Sequence, residues 1–223
     1  MSASSAGKAA AAGANIADSA YTKARLPFYD FTLRVACGLL WGCPARRVLR
    51  FYDEHISGNH LDVGVGSGYF LDHCRYPVEN PRLMLLDSNA DPLEYSANRL
   101  RRFRPETLQA NILRPIPFEG RRFDSIGLNH VLHCLPGAMR EKAAVIDHLR
   151  VLLTPGGKLF GATVPAIGVR HNWVGRKWLA HFNEIGVLDN LNDSADELKA
   201  VLEQRFRESS VQVIGRTALF WAR

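Results

Sequence analysis

The sequence has 223 residues, of which 47% are hydrophobic and 22% charged, and its formal net charge is +6 at pH 7. A chain of this length can bury one sizeable core but is short for two, so we expect a single domain. No apolar run reaches the length of a membrane span. The sequence also lacks a basic stripe interleaved with aromatic residues, the pattern that would indicate nucleic acid binding. Residues 1–20 are rich in Ala, Ser and Gly and lack the apolar stretch of a secretion signal, which predicts a disordered leader.

The four cysteines are scattered without CxxC spacing. This pattern is typical neither of a zinc site nor of a disulfide framework. We therefore expect no metal and a reducing, cytoplasmic location.

The sequence of residues 21–56 predicts a helical cap over the domain. Bulky apolar residues from Tyr21 to Cys43 recur at an irregular helical spacing, which indicates one or two helices lying over the domain. Packing explains Tyr21 and Tyr29, but aromatic residues also commonly line ligand clefts. Both interpretations stay open for these two residues.

Residues 57–164 predict the core, which is organised around a run of three alternate glycines. A short apolar strand ends in Asp62-x-Gly64-x-Gly66-x-Gly68, and a helical stretch follows at once. Glycine there lets the backbone approach a ligand where a side chain would collide. The fingerprint of a dinucleotide site would need a glycine at position 69, where this chain has Tyr69.

The next strand is the nearly continuous apolar run 82–87, which ends in Asp87. A carboxylate at this strand end suits the two hydroxyls of a ribose, although it is also an ordinary residue for a strand end. Asp91, followed by Pro92 and Glu94, predicts the N-cap of a helix that runs to about Phe103. A third strand is expected over 106–111.

The fourth strand ends at Asn129, and His130 and His133 follow it. Ligands of open α/β sheets bind at the carboxyl ends of the strands, so these side chains are the candidates for chemistry, whereas Asp124 at the strand's start is structural. Imidazole can act as a general base near neutral pH. For His133 we prefer a buried, hydrogen-bonded role.

The remaining elements are an amphipathic helix over 140–153, a Thr-Pro-Gly-Gly stop at 154–157 and a fifth strand over 158–164. Residues 165–193, with His171 and Trp173, form either one wall of an acceptor pocket or a packed helix. A capping box at Ser194 and Glu197 begins a helix to about Phe206. The runs 210–214 and 217–222 predict an antiparallel hairpin.

The order of these motifs over about residues 60–165, followed by the hairpin, resembles the class I S-adenosylmethionine (SAM) methyltransferases. The resemblance is closest to the small-molecule branch that includes quinone-biosynthesis methyltransferases. The glycine run matches motif I, Asp87 matches the motif II position, and 118–129 is similar to the motif IV region. The resemblance implies an α/β, Rossmann-like sheet of seven strands, mostly parallel with an antiparallel last strand, with helices on both faces.

The same resemblance implies the site residues and the reaction. Those expected to bind SAM are Tyr21, Asp62, Gly64, Gly66, Gly68, Asp87, Ser88, Asn111, Ile112 and Asn129. Asn111 departs from the commoner Asp, but its amide can still bond the exocyclic amine of adenine. Those expected to contact the acceptor are Tyr29, His171 and Trp173, with His130 as a base or acceptor contact. We expect methyl transfer to an O, N or C atom of a small metabolite by in-line displacement, which mainly requires positioning.

Two rival interpretations remain at this point. A SAM-binding protein could use the sulfonium to stabilise negative charge in a rearrangement or cyclisation. It could also be a scaffold without turnover. An NAD-dependent oxidoreductase is disfavoured because Tyr69 interrupts the dinucleotide fingerprint.

Overall fold

The computed structural model describes residues 26–171 and 173–223, apart from the side chains of Pro27 and Tyr29. In this part of the chain the helices are α1 (Leu26–Val35), α2 (Ala45–His55), α3 (Tyr69–His73), α4 (Ala90–Arg99), α5 (Met139–Arg150), α6 (Trp173–Glu184) and α7 (Ala195–Glu203). The strands are β1 (Asn59–Val63), β2 (Arg82–Asp87), β3 (Glu106–Gln109), β4 (Phe123–Asn129), β5 (Leu153–Thr163), β6 (Ser209–Ile214) and β7 (Thr217–Ala222).

The strands form one seven-stranded sheet in the order β3-β2-β1-β4-β5-β7-β6. Strands β1 to β5 pair in parallel, β7 pairs antiparallel with β5, and β6 pairs antiparallel with β7. The predicted fold class and the terminal hairpin are therefore confirmed. The order places the carboxyl ends of β1 and β4 side by side at the centre of the sheet, where open α/β sheets bind their ligands.

Two apolar layers cover the sheet, one on each face. Helices α5 and α7 pack on one face through residues such as Ile146 and Leu202. Helices α2, α3 and α4 cover the other face through residues such as Val48, Leu71 and Leu93. Burial on both faces explains why β2 and β4 have nearly continuous apolar sequences rather than alternating ones.

The N-terminal part of the described chain is helical, as the sequence predicted. Helix α1 continues into a π-helical turn, Ala36–Leu40, a form that is rare and often found at functional sites. This turn packs with Val164, Leu179 and Leu188 in a third apolar cluster. The cluster joins the N-terminal helices to α6 and the segment that follows β5.

The structure corrects two details of the predicted elements. The N-cap of α4 is Asn89, not Asp91, because the Asn89 side chain accepts the Asp91 N–H at 3.0 Å. Leu153, predicted in a helix, begins β5 instead and pairs with Phe123 of β4, followed by a register irregularity. The Pro-Gly-Gly run is thus accommodated within β5.

Several other ends are shorter than predicted. Helix α4 ends at Arg99, β3 at Gln109 and α7 at Glu203. The N-cap of α7 is confirmed, since the Ser194 hydroxyl accepts the Glu197 N–H at 3.0 Å. Among the helices of residues 26–171 and 173–223, none combines the length and the apolar character needed to cross a bilayer. The division into a cap (21–56), a core (57–164) and an acceptor-side segment with hairpin (165–223) stays a prediction.

Candidate active site

The glycine run turns the chain sharply between β1 and α3. Gly64, Gly66 and Gly68 have φ angles of 68°, 53° and 71°, in the left-handed region that residues with a side chain rarely adopt. A Cβ on Gly64 would also lie 2.3 Å from Cγ2 of Val131. Both the backbone conformation and the available space therefore require glycine here.

The loop lines a cleft of about 390 Å³, including the part open to solvent. The cleft lies at the carboxyl ends of β1 and β4 and is roofed on one side by α1. Its lining residues are Leu33, Tyr52, Asp62, Gly64, Val65, Gly66, Ser67, Gly68, Tyr69, Phe70, Leu71, Asn129 and His130. The structure thus brings together six of the predicted site residues: Asp62, the three glycines, Asn129 and His130.

Asn129 ends β4 with its polar atoms buried. Neither Oδ1 nor Nδ2 has a hydrogen-bond partner among the described residues. An unpaired buried amide costs about 1–3 kcal/mol, and proteins rarely leave one without a reason. A polar ligand in the cleft would pair this amide, so the site fits a cofactor with hydrogen-bonding groups at this end.

His130 has an unusual backbone conformation for a residue with a side chain, with φ 58°. Its N–H donates to the carbonyl of Ala162 at 2.7 Å, and its ring stacks on Phe70 with centroids 6.2 Å apart. Its Nε2 lies 3.8 Å from Sγ of Cys37 in the π-helical turn. Burial lowers the pKa of His130 to about 4, so the imidazole is neutral at pH 7.

His133 is buried behind the cleft and does not line it. Its Nδ1 accepts the N–H of Val164 at 3.2 Å and lies 3.3 Å from the hydroxyl of Thr163. Burial, with His130 and Lys142 nearby, holds the pKa of His133 well below its usual range. This is the geometry of a buried, hydrogen-bonded histidine.

Four predicted cofactor residues lie at the same edge of the sheet but outside the lining of the cleft. Asp87 ends β2, and its Oδ1 accepts the N–H of Asn89 at 3.0 Å; the carbonyl of the following Ser88 accepts Gln109 Nε2 at 3.0 Å. Asn111 is exposed and bonds the N–H of Leu113 in a local turn. Ile112 is buried in the core under α5.

The predicted acceptor residues are not brought to the cleft by the described contacts. His171 is half-buried, and burial lowers its pKa. Trp173 begins α6 with 63% of its surface exposed, and Lys177 lies over its ring. Tyr21 and the side chain of Tyr29 lie outside the described residues.

The sequence did not single out the contacts that hold α1 over the glycine loop. Asp30 of α1 accepts hydrogen bonds from Ser67 in the loop and from Arg99 at the end of α4. Asp30 lies in a mostly apolar helix and Arg99 in an arginine-rich stretch at a helix end, so neither residue indicates this contact from its local sequence. Only the tertiary structure relates three residues so far apart in the sequence.

The fold and the cleft define an α/β enzyme that binds a nucleotide-like cofactor at a glycine loop. Residues 61–159 match the family model of the methyltransferase domain. The chain is 38% identical over 187 residues to demethylluteothin O-methyltransferase of Streptomyces thioluteus, a match that covers 83% of this chain and 81% of the relative. The protein therefore belongs to the class I SAM-dependent methyltransferases.

Other comparisons agree. Methyltransferase ctvB of Aspergillus terreus is 38% identical over 218 residues, which cover 93% of each chain. Further relatives with 31–34% identity are named O- or N-methyltransferases. Among solved structures, the complex of DhpI with S-adenosylhomocysteine (SAH) has a TM-score of 0.67 at 20% identity and covers 94% of this chain and 95% of that one. The protein is a small-molecule methyltransferase with SAM as its cofactor.

Proposed function

We propose that the protein methylates an acidic hydroxyl of a small acceptor, with His130 beside the reacting oxygen. The observation that carries this proposal is the neutral His130 imidazole at the end of β4, within a cleft whose neighbouring Asn129 amide is unpaired. A neutral ring can accept a hydrogen bond from an acceptor hydroxyl and hold its oxygen in line.

Residues of the cleft would hold the methionine end of SAM. The Asn129 amide can pair the polar groups there, and the Asp62 carboxylate suits the ammonium group. The three glycines keep the loop free of side chains. Asp87 with Ser88 is proposed for the ribose, and Asn111 with Ile112 for the adenine, one strand further along the same sheet edge. SAM, when bound, supplies a methyl group that its sulfonium has already activated.

The lowered pKa of His130 supports one class of acceptor. A base with a pKa of about 4 is too weak to remove the proton from an ordinary alcohol. It suits a hydroxyl that is itself acidic, such as an enol conjugated to a carbonyl or an electron-poor phenol, which loses its proton far more readily than an alcohol does. The O-methyltransferase names among the relatives also support oxygen as the accepting atom.

The wall of the acceptor site is proposed to include Tyr29, His171 and Trp173. The support is their place in the chain: the π-helical turn that continues α1 packs with the segment after β5 in the third apolar cluster. A cytoplasmic location is likewise proposed, and the four cysteines, all of which are free, support it. The lack of a basic stripe interleaved with aromatic residues supports a protein without a nucleic acid partner.

The experiment is a transfer assay with isotope-labelled SAM and a panel of phenols and enolic lactones, each paired with its O-methylated counterpart. We expect label on the free hydroxyl compounds only, located on oxygen by tandem mass spectrometry. His130→Asn should lower kcat about 10- to 100-fold and leave the Kd for SAH within about threefold. Label found on nitrogen or carbon, or equal turnover by the variant, would contradict the proposal.

A further inference from the structure

A network of polar side chains, all but one of them buried, lies directly behind the glycine loop. The hydroxyl of Tyr52 donates to Oδ2 of Asp62, and Nε2 of His60 lies 3.5 Å from the same oxygen. Nδ1 of His60 lies 2.8 Å from the hydroxyl of Ser125, which in turn lies 2.8 Å from the hydroxyl of Ser57. This network of side chains therefore extends from the cleft to the opposite end of β1.

The register of the sheet places the members of this network that belong to β1 and β4 on one face of the sheet. His60 pairs with Ser125, and Asp62 pairs with Gly127, so alternate residues of β1 and β4 point the same way. Gly127 leaves the space that the other groups occupy: a Cβ there would lie 2.8 Å from Oδ2 of Asp62 and 2.9 Å from the Tyr52 hydroxyl. Strand β4 therefore has a glycine at the position where the Tyr52 hydroxyl contacts the Asp62 carboxylate.

Aromatic rings surround the Tyr52 and His60 side chains of this network. The Tyr52 ring stacks on Phe70 with centroids 5.6 Å apart and meets the edge of Phe160 at 5.0 Å, while His60 lies 5.7 Å from Phe160. Hydrogen bonds to a charged group gain strength where water is excluded. Burial and the Asp62 carboxylate hold the pKa of Tyr52 well above its usual range, so its hydroxyl stays a donor.

We propose that Tyr52 and His60 are positioning residues that fix the Asp62 carboxylate for the ammonium group of the cofactor. Tyr52 and His60 both contact Oδ2 of Asp62, and this orients the carboxylate. Oδ1 of Asp62 makes no hydrogen bond within the described residues. The contact from Ser125 fixes the ring of His60 with Nε2 towards Asp62. This inference rests on the proposed function, in which Asp62 contacts the methionine end of SAM.

The test is a double-mutant cycle on the affinity for SAH, measured by calorimetry on the full chain. Tyr52→Phe keeps the ring and removes the hydroxyl, and should raise the Kd about tenfold while kcat at saturating SAM changes by less than about threefold. In an Asp62→Asn background the same change should have less than about a twofold effect. Tyr76→Phe is the matched control, because that hydroxyl donates to the carbonyl of Leu71, and it should leave the Kd unchanged.

His60 provides an independent arm in case Tyr52→Phe fails to fold. His60→Gln keeps a donor near the position of Nε2 and should bind SAH almost as the native protein does, whereas His60→Leu should lose about tenfold in affinity. An equal loss from Tyr52→Phe in both backgrounds, or equal affinities of the two His60 variants, would overturn the inference. If Asp62→Asn alone leaves the Kd unchanged, the assignment of Asp62 to the cofactor fails as well.

Discussion

The hydroxyl of Ser67 donates a 2.6 Å hydrogen bond to Oδ1 of Asp30, and this contact ties the glycine loop to the helix that covers it. The other oxygen of Asp30 accepts from Nη1 of Arg99 at 2.8 Å, and the same nitrogen lies 3.2 Å from the carbonyl of Ser67. The three residues form a clamp between α1, the loop and α4. Because Leu33 of α1 lines the cleft, the clamp holds α1 in place beside the proposed cofactor site.

Breaking this clamp should weaken cofactor binding more than it weakens the fold. Asp30 and Arg99 are partly exposed, so their ion pair stabilises the protein by no more than about 1 kcal/mol. We expect Asp30→Asn to raise the Kd for SAH about three- to tenfold, since the roof opens more readily. Calorimetry at low and high salt checks this, because salt should weaken native binding and narrow the gap to the variant.

Glu119→Gln is the charge-matched control for Asp30→Asn, because Glu119 is an exposed residue of the loop before β4. It should leave the affinity unchanged. If both variants bind SAH as the native protein does, the clamp has no part in binding.

The unpaired amide of Asn129 allows a test that separates binding from stability. Replacing a buried polar group that lacks a partner with an apolar one of similar shape is close to neutral or stabilising. Asn129→Leu should therefore keep or raise the Tm of the cofactor-free protein, while the Kd for SAH rises by at least about tenfold. A variant that loses stability and keeps its affinity would show that the amide supports the fold instead.

The buried histidines should make the protein less stable in acid. Burial lowers the pKa of His130 to about 4, against about 6.5 for an unfolded chain. Between these two values the unfolded state binds a proton that the folded state does not, so the free energy of unfolding falls as the pH falls from about 6.5 to 4. Above about pH 6.5 this contribution is fully present.

His130→Asn removes this titration and suits the positive φ of the site, since Asn is enriched in that conformation. The native protein should lose on the order of 2–3 kcal/mol more stability than the variant between pH 7 and 4. Urea unfolding at several pH values measures the difference. Parallel stability curves for the two proteins would contradict the lowered pKa.

The fold was largely predictable because its signals are local. The glycine run, the apolar runs of β2 and β4 and the hairpin each depend on neighbouring residues, and their order defines the sheet. One error was local, at the N-cap Asn89, but the wrong element type came where a tertiary contact decided the outcome. Leu153 has the spacing of a helical residue, but it pairs with Phe123 in the sheet.

The site was predictable only in part, for the same reason. Asp62 and Asn129 lie at or next to the carboxyl ends of strands that the sequence predicts, so their place at the cleft could be predicted. Tyr52 has the spacing of an ordinary core residue on an amphipathic helix, and nothing local indicates that its hydroxyl reaches Asp62. The partners of Asp30 and His60 likewise depend on chain segments far away in the sequence.

A buried ion pair anchors the segment that follows β5. Nζ of Lys142 donates to Oδ2 of Asp193 at 2.7 Å and to the carbonyl of Asp189 at 2.6 Å, and both charged side chains are fully buried. The carbonyl of Asp193 accepts the N–H groups of Ala166 and Ile167. The pair therefore holds both ends of the segment 165–193, which contains the proposed acceptor contacts His171 and Trp173, against α5.

Lys142→Met should destabilise the protein by about 3–5 kcal/mol, because it leaves the Asp193 carboxylate buried without its partner. Arg140→Met, two residues earlier on α5, is the control: the pair of Arg140 with Glu197 is largely exposed and should stabilise the protein by less than about 1 kcal/mol. Denaturant unfolding of both variants makes the comparison, and losses of similar size would contradict the anchoring role.

The pH gives this prediction a second readout. Burial raises the pKa of Asp193 to about 6 even though Lys142 lowers it, so removing the lysine should raise it further. Below that pKa the carboxyl group binds a proton and no longer needs a partner. The deficit of Lys142→Met should therefore shrink as the pH falls from 8 to 5, while that of Arg140→Met stays small throughout. A deficit that is independent of pH would mean that the cost comes from packing and not from the unpaired charge.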